Sequence, residues 1–180
     1  AGSISFADFG DVRLKGASLS MTSFAKADLR SSDLRGAQMV LMDNSGVDLR
    51  DSDLRRTRIV GSSFDHADLR NVNFRGSVLK NTGFQFADLR RARFKGVVLT
   101  GCSFYGAKIS RETFKGAIFD ETIMPDGAIR SAPERQRNRV LFGPKNSVVE
   151  VDSDHAVYAA ASQQQTPGQY DYGDAIGSLK

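Results

Sequence analysis

From Phe9 to Met124 every fifth residue is large and apolar, with one exception. The column reads Phe9, Leu14, Leu19, Phe24, Leu29, Leu34, Met39, Asn44, Leu49, Leu54, Ile59, Phe64, Leu69, Phe74, Leu79, Phe84, Leu89, Phe94, Leu99, Phe104, Ile109, Phe114, Phe119 and Met124. Asn44 alone breaks it. A second column lies two residues earlier, from Ala7 and Val12 to Thr122; only Met42 and Glu112 in it are not Ala, Ser, Thr, Val or Cys. In extended chain, residues two apart point the same way, so the large and the small residue share an inward face. A helix would bring together positions three and four apart, and the pattern ignores that spacing.

A period of five requires the chain to bend after each short extended run. The residue two after each large one supplies the bend: Gly16, Gly36, Gly61, Gly76, Gly96 and Gly106 stand there, as do Asp51, Asn71 and Asn81. Such residues tolerate a positive φ. Four right-angle bends close a square of twenty residues. Segments twenty apart agree with this: Lys26–Arg30, Gly46–Arg50, His66–Arg70 and Phe86–Arg90 all end in Asp-Leu-Arg. About six coils follow, stacked by parallel pairing at ~4.8 Å into a rod roughly 29 Å long. The expected stability is nearest-neighbour in kind, each coil leaning on the next.

The repeated Ala-Asp-Leu-x-x unit resembles that of the pentapeptide-repeat proteins. The resemblance implies an all-β fold, a right-handed quadrilateral parallel β-helix with four pentapeptides per coil. It covers about two thirds of the chain and is specific for architecture. It is a poor guide to the job, because one fold hosts many functions. The expected organisation is a solenoid over 1–125, a basic capping helix over 126–145 and an extended tail over 146–180. Pro125 removes a ladder donor and ends the repeat. Ser131 and Glu134 form a capping box for the helix, and Val140, Leu141 and Phe142 pack it onto the last coil. The tail orders against a partner or stays disordered.

Two positions depart from the interior rule. Met42 fills space that Asn44 leaves beside it. Glu112, inward by register, marks distortion near the end of the rod.

The outer surface divides by side. The first side, centred on Leu29, carries Asp28, Asp48, Asp68 and Asp88, then Arg30, Arg50, Arg70 and Arg90. The second carries Asp33 and Asp53, then Arg35, Arg55, Arg75, Lys95 and Lys115. The rows read as self-pairing ladders, and Arg90, Arg91, Arg93 and Lys95 emerge as a basic cluster where the acid thins out. The third side is apolar outside, with Met21, Val40, Leu41, Val60, Val78, Val98 and Ile118. Phe86 and Tyr105 on the fourth side extend that patch. An apolar strip outside a rod marks either a docking surface for another protein, the leading expectation, or a face that the chain's own tail folds back to cover.

The chain carries a net charge of +4 over 180 residues. The solenoid is +5 and the remainder −1; within the latter, Arg130–Lys145 is +4 and Asn146–Lys180 is −4. Cys102, the single cysteine, stands in the inward small column and reads as a buried apolar group. His66 and His155 are isolated, so no metal-ligand spacing exists. No phosphate-loop motif occurs. No leader peptide is read, and no run of apolar residues is long enough to span a membrane.

The expectation is therefore a non-enzymatic scaffold with no cofactor, metal or small-molecule substrate. It binds protein partners in a larger assembly through the third side and the tail. The resemblance points to an accessory subunit of a photosynthetic assembly, in a thylakoid lumen or a bacterial cytoplasm or periplasm. One alternative is mimicry of DNA toward gyrase, which family members achieve with an acidic rod; the matching Arg rows here depart from that pattern. Another is nucleic-acid binding by the basic ladders. The absence of interleaved aromatic residues and the repulsion of phosphate by Asp disfavour it.

Overall fold

The computed structural model describes residues 2–131, within a compact unit spanning Ala1–Ser131. Among the described residues the chain forms ten short strands: β1 (Gly2–Ser3), β2 (Ser18–Ser20), β3 (Thr22–Ser23), β4 (Gln38–Val40), β5 (Arg58–Val60), β6 (Val78–Lys80), β7 (Val98–Thr100), β8 (Ile118–Asp120), β9 (Thr122–Ile123) and β10 (Ile129–Arg130). Strands β2, β4, β5, β6, β7 and β8 make one six-stranded parallel sheet, the third side of the square. Its register steps by twenty residues, as in Met39 opposite Ile59 and Leu79 opposite Leu99. The other sides pair through single parallel bridges such as Asp48 to Asp68 and Asp53 to Asn73.

Three backbone bonds recur along the units, beside the bond from the corner N–H to the next coil, as Ser31 N–H to the Arg50 carbonyl at 2.9 Å. The central N–H reaches the coil after it, as Leu29 N–H to the Asp48 carbonyl at 2.8 Å. The preceding N–H reaches the coil before it, as Asp48 N–H to the Ala27 carbonyl at 3.0 Å. A turn bond then closes the corner, as Ala27 N–H to the Phe24 carbonyl at 3.0 Å. Every corner residue from Phe6 to Gly106 takes a left-handed φ between 48° and 71°. The bend is therefore fixed by position, and non-glycine residues there accept the strain.

The interior is filled by the two inward columns. Phe64, Phe84 and Phe104 stack on the fourth side, at centroid distances of 5.3 and 4.8 Å. Phe74 and Phe94 stack on the second at 4.8 Å and meet the first stack edge-on. Small polar residues are accommodated because their hydroxyls bond backbone carbonyls, most often those of the preceding coil, while Thr57 and Thr82 bond carbonyls of their own coil. Ser52 Oγ donates to the Leu29 carbonyl at 2.8 Å and accepts from Ser32 N–H at 3.1 Å. Ser77 repeats the arrangement with Leu54 and Thr57.

The columns slip once. Ile109, read as inward, is 41% exposed, and Glu112 is exposed and paired with Lys115 at 2.9 Å. A run of turns over 111–116 replaces the extended corner. Thr113 takes the inward small position instead: its hydroxyl accepts from Ser110 N–H at 2.9 Å and donates to the Leu89 carbonyl at 3.3 Å. An extended unit would have buried the Glu112 carboxylate without a partner. Ile4 is also partly exposed, at 39%, although its N–H keeps the ladder bond to Ser23.

After Pro125 the chain doubles back, so that β10 pairs antiparallel with β9. Ser131, expected to cap a helix, accepts Glu121 N–H through its hydroxyl at 3.0 Å. The expected helix through Val140, Leu141 and Phe142, and the tail beyond it, lie outside the described residues.

Candidate interaction faces

The third side presents two outward rows. One runs Ser18, Gln38, Arg58, Val78, Val98, Ile118; the other runs Ser20, Val40, Val60, Lys80, Thr100, Asp120. Val78, Val98 and Ile118 are thus direct neighbours in successive coils, and so are Val40 and Val60. Arg58 stands beside Val78 and Lys80 beside Val60, so the apolar surface is two staggered columns that meet only diagonally, not one continuous strip. Met21 and Leu41 occupy the adjoining corner in left-handed conformation, and Met21 is 50% exposed. Val60 is buried despite facing outward.

Phe86 and Tyr105 are each 50% exposed, but they do not extend this surface. Phe86 occupies the corner between the fourth and first sides, and Tyr105 precedes that corner one coil on. The fourth side's own row of Ser23, Asp43, Ser63, Gly83 and Ser103 separates them from the third-side valines. His66 stacks on Phe86 at 5.3 Å, and Tyr105 meets it edge-on at 5.8 Å. The Phe86 ring lies over Gly106, where a Cβ would come within 2.5 Å of it.

On the first and second sides Asp28, Asp33, Asp48, Asp53, Asp68 and Asp88 each hold the Arg two residues later. Asp68 takes Arg70 Nε at 2.8 Å and Nη2 at 2.6 Å, while also accepting Arg70 N–H at 3.3 Å. The same fork joins Asp48 to Arg50 and Asp53 to Arg55. Contacts across coils are longer, 3.6 Å from Arg50 to Asp68 and 4.0 Å from Arg70 to Asp88. The Arg35 hydrogen bonds pull the Asp33 carboxyl down to about 2. Asp28 and Asp88 are lowered in the same way by Arg30 and Arg90. At Asp53 and Asp68 partial burial opposes the shift, and the Arg hydrogen bonds prevail.

The expected basic cluster of Arg90, Arg91, Arg93 and Lys95 divides into a paired and an unpaired part. Asp88 engages Arg90 at 2.6–3.2 Å, so Arg90 belongs to the paired ladder. Arg91, Arg93 and Lys95 are exposed and, among the described residues, have no carboxylate within ion-pair distance. Arg75, Lys108 and Arg111 share that condition and lie outside the expected cluster. The signal that could have found them is the loss of the matching Asp in each column.

Asn44 is buried, with neither side-chain polar atom hydrogen-bonded. Met42 beside it is buried as well. Burial raises the Cys102 thiol to about 12, and Sγ faces the Leu79 carbonyl at 3.5 Å. Among the described residues, no group of His, Cys, Asp or Glu could hold a metal ion, and no helix is long and apolar enough to cross a membrane.

Twenty-residue register, left-handed corners and paired inward columns define a right-handed quadrilateral β-solenoid of five-residue units. The chain belongs to the pentapeptide-repeat family: the family model for pentapeptide repeats matches in eight copies, over residues 7–40, 45–81, 58–96 and 78–120. Among solved structures it is similar to HetL, a pentapeptide-repeat protein involved in heterocyst differentiation regulation from the cyanobacterium Nostoc. That likeness has 25% identity, covers 71% of this chain and 68% of HetL, and has a TM-score of 0.61. It is also similar in fold to trypsin-treated QnrB1, a plasmid-mediated fluoroquinolone resistance protein, at 16% identity, 69% and 70% coverage, and a TM-score of 0.50. No curated protein matches the sequence.

Proposed function

We propose that this chain is a non-enzymatic interaction protein that docks a partner protein on its third side, as an accessory subunit of a larger assembly. The observation that carries the reading is the alignment of Val78, Val98 and Ile118 on a continuous six-stranded sheet. Three neighbouring β-branched side chains on a flat face gain little from water and much from a complementary surface. The interior supports the non-enzymatic part. It is filled by stacked rings and small residues, and the Asp rows are tied to Arg rather than poised in a cleft. The same pairing weighs against mimicry of DNA, since the carboxylates do not stand as free negative charge. HetL comes from a cyanobacterium, which favours a photosynthetic organism's assembly as the setting to test first.

The test is affinity capture from a photosynthetic-membrane extract with the native chain and with Val78→Arg/Val98→Arg. Arg58 occupies the same outward row, so Arg is compatible with the sheet there. A partner retained by the native chain and lost by the variant supports the reading. Equal recovery by both, or no partner for either, overturns it.

A further inference from the structure

We propose that the first and second sides, over their last two to three coils, form a docking site for an acidic segment of a partner protein, separate from the third side. The warrant is a change in charge along columns whose backbone role stays the same. Outward on the second side, Asp53 is followed one coil on by Asn73 and then by Arg93. Asn73 still accepts Arg75 N–H through Oδ1 at 3.3 Å, the turn bond that Asp53 makes to Arg55 at 3.1 Å. The structural bond survives and only the charge is gone. At the corner between the two sides, Asp51, Asn71 and Arg91 follow the same course, with left-handed φ of 63°, 64° and 65°. On the first side, Asp88 is followed by Lys108.

The result is a contiguous group of Arg75, Arg91, Arg93, Lys95, Lys108 and Arg111. All are exposed, and none is paired with a carboxylate among the described residues. Successive coils are ~4.8 Å apart and outward residues on one strand about 6.6 Å apart, so the charges form a grid. An extended peptide with acids at alternate residues has the second of these spacings. Its carboxylates would meet Arg forks in the way Asp53 meets Arg55, with Nε at 2.9 Å and Nη2 at 2.6 Å. Arg is suited to this planar two-point contact. Nucleic acid fits less well. A duplex long enough to bind would run onto the Asp rows of the preceding coils, and the exposed rings, Phe86 and Tyr105, stand at another corner, where bases over this patch could not stack on them.

The experiment measures binding of fluorescent deca-glutamate to the full chain, at about 50 mM and about 300 mM salt. Arg91→Asn/Arg93→Asn writes into this coil the residues of the one before it. Arg30→Gln/Arg35→Gln makes the same change in net charge outside the group. The proposal expects binding that weakens with salt, falls roughly tenfold in the first variant and falls less than about twofold in the second. Thermal melts establish that both variants are folded. No binding at low salt, or equal losses in the two variants, overturns the proposal. Tighter binding of a single-stranded oligonucleotide of the same length, with the same sensitivity to Arg91 and Arg93, also overturns it in favour of a phosphate polymer. Val78→Arg/Val98→Arg leaves deca-glutamate binding unreduced, so this test and that of the third side fail separately.

Discussion

Phe84 and Phe104, one coil apart, lie face to face with ring centroids 4.8 Å apart and planes 6° from parallel. Asn44 occupies the same inward column two coils before Phe84 and has no hydrogen-bond partner for its amide. A buried amide left unsatisfied costs about 1–3 kcal/mol. Asn44→Leu, close in size and free of polar atoms, should therefore raise stability by an amount in that range. Denaturant unfolding measures it, and a fall in the midpoint would mean that the amide is satisfied in solution.

The stack itself sets the second expectation. Phe84 touches Phe64, Phe74 and Phe104, so Phe84→Ala removes a ring from both the axial and the cross-rod contacts. Such truncations cost about 3–5 kcal/mol. In a solenoid the loss should be local. Hydrogen exchange should quicken most in Val78–Thr100 and far less in Gln38–Val40. Uniform acceleration along the rod would show that the coils unfold as one unit.

Much of this was legible in the sequence, and the reason is geometric. A single period of five fixed the inward columns, the corners and the twenty-residue coil at once. The slip around Ile109 was hidden because the chain recovers by Phe114, leaving later columns in register; only the misplaced Glu112 marked it. The surface was harder to read. That Val60 is buried although it faces outward, and that Arg90 is bonded to Asp88, depend on side-chain placement across coils. Phe86 and Tyr105 looked continuous with the valines because a linear list of outward residues does not show that a polar side intervenes.

The Asp–Arg forks give the rod an acid-sensitive component. The Asp33 carboxyl is held at about 2 by hydrogen bonds from Arg35, against about 3.9 in the unfolded chain. A lowered folded-state value means stability that is present above pH about 4 and is lost as pH falls toward about 2. Arg35→Gln should return the Asp33 midpoint toward the ordinary range and shrink this acid limb. Carboxyl titration by NMR reads it directly, and an unmoved midpoint would assign the shift to another cause.

Cys102 provides a probe of opening. Its thiol is buried, raised to about 12, and faces the Leu79 carbonyl. The thiolate is the reactive form, so the native thiol should be inert to aromatic disulfide reagents at neutral pH. Labelling should follow local opening of the coils around it, and Phe84→Ala should accelerate it. Rapid stoichiometric labelling of the native chain would contradict its placement.

Arg56 tests the corner rule. It stands at φ 58° in the corner column between Gly36 and Gly76, where φ is 68° and 69°. Left-handed backbone costs a non-glycine residue about 1–2 kcal/mol, while glycine loses more entropy on folding by roughly 0.5–1 kcal/mol. The strain is the larger of the two, so Arg56→Gly should stabilise the rod by roughly 0.5–1 kcal/mol. Gly76→Ala, made in the same column, should destabilise it by a comparable amount, because a Cβ there meets only the distant Arg56 Cγ at 3.9 Å and the cost is purely of backbone. Paired denaturation curves decide the matter. If both substitutions lower stability, Arg56 is held by contacts of its stem along the corner that outweigh the strain; if both are neutral, the corners are more pliant than their shared φ implies.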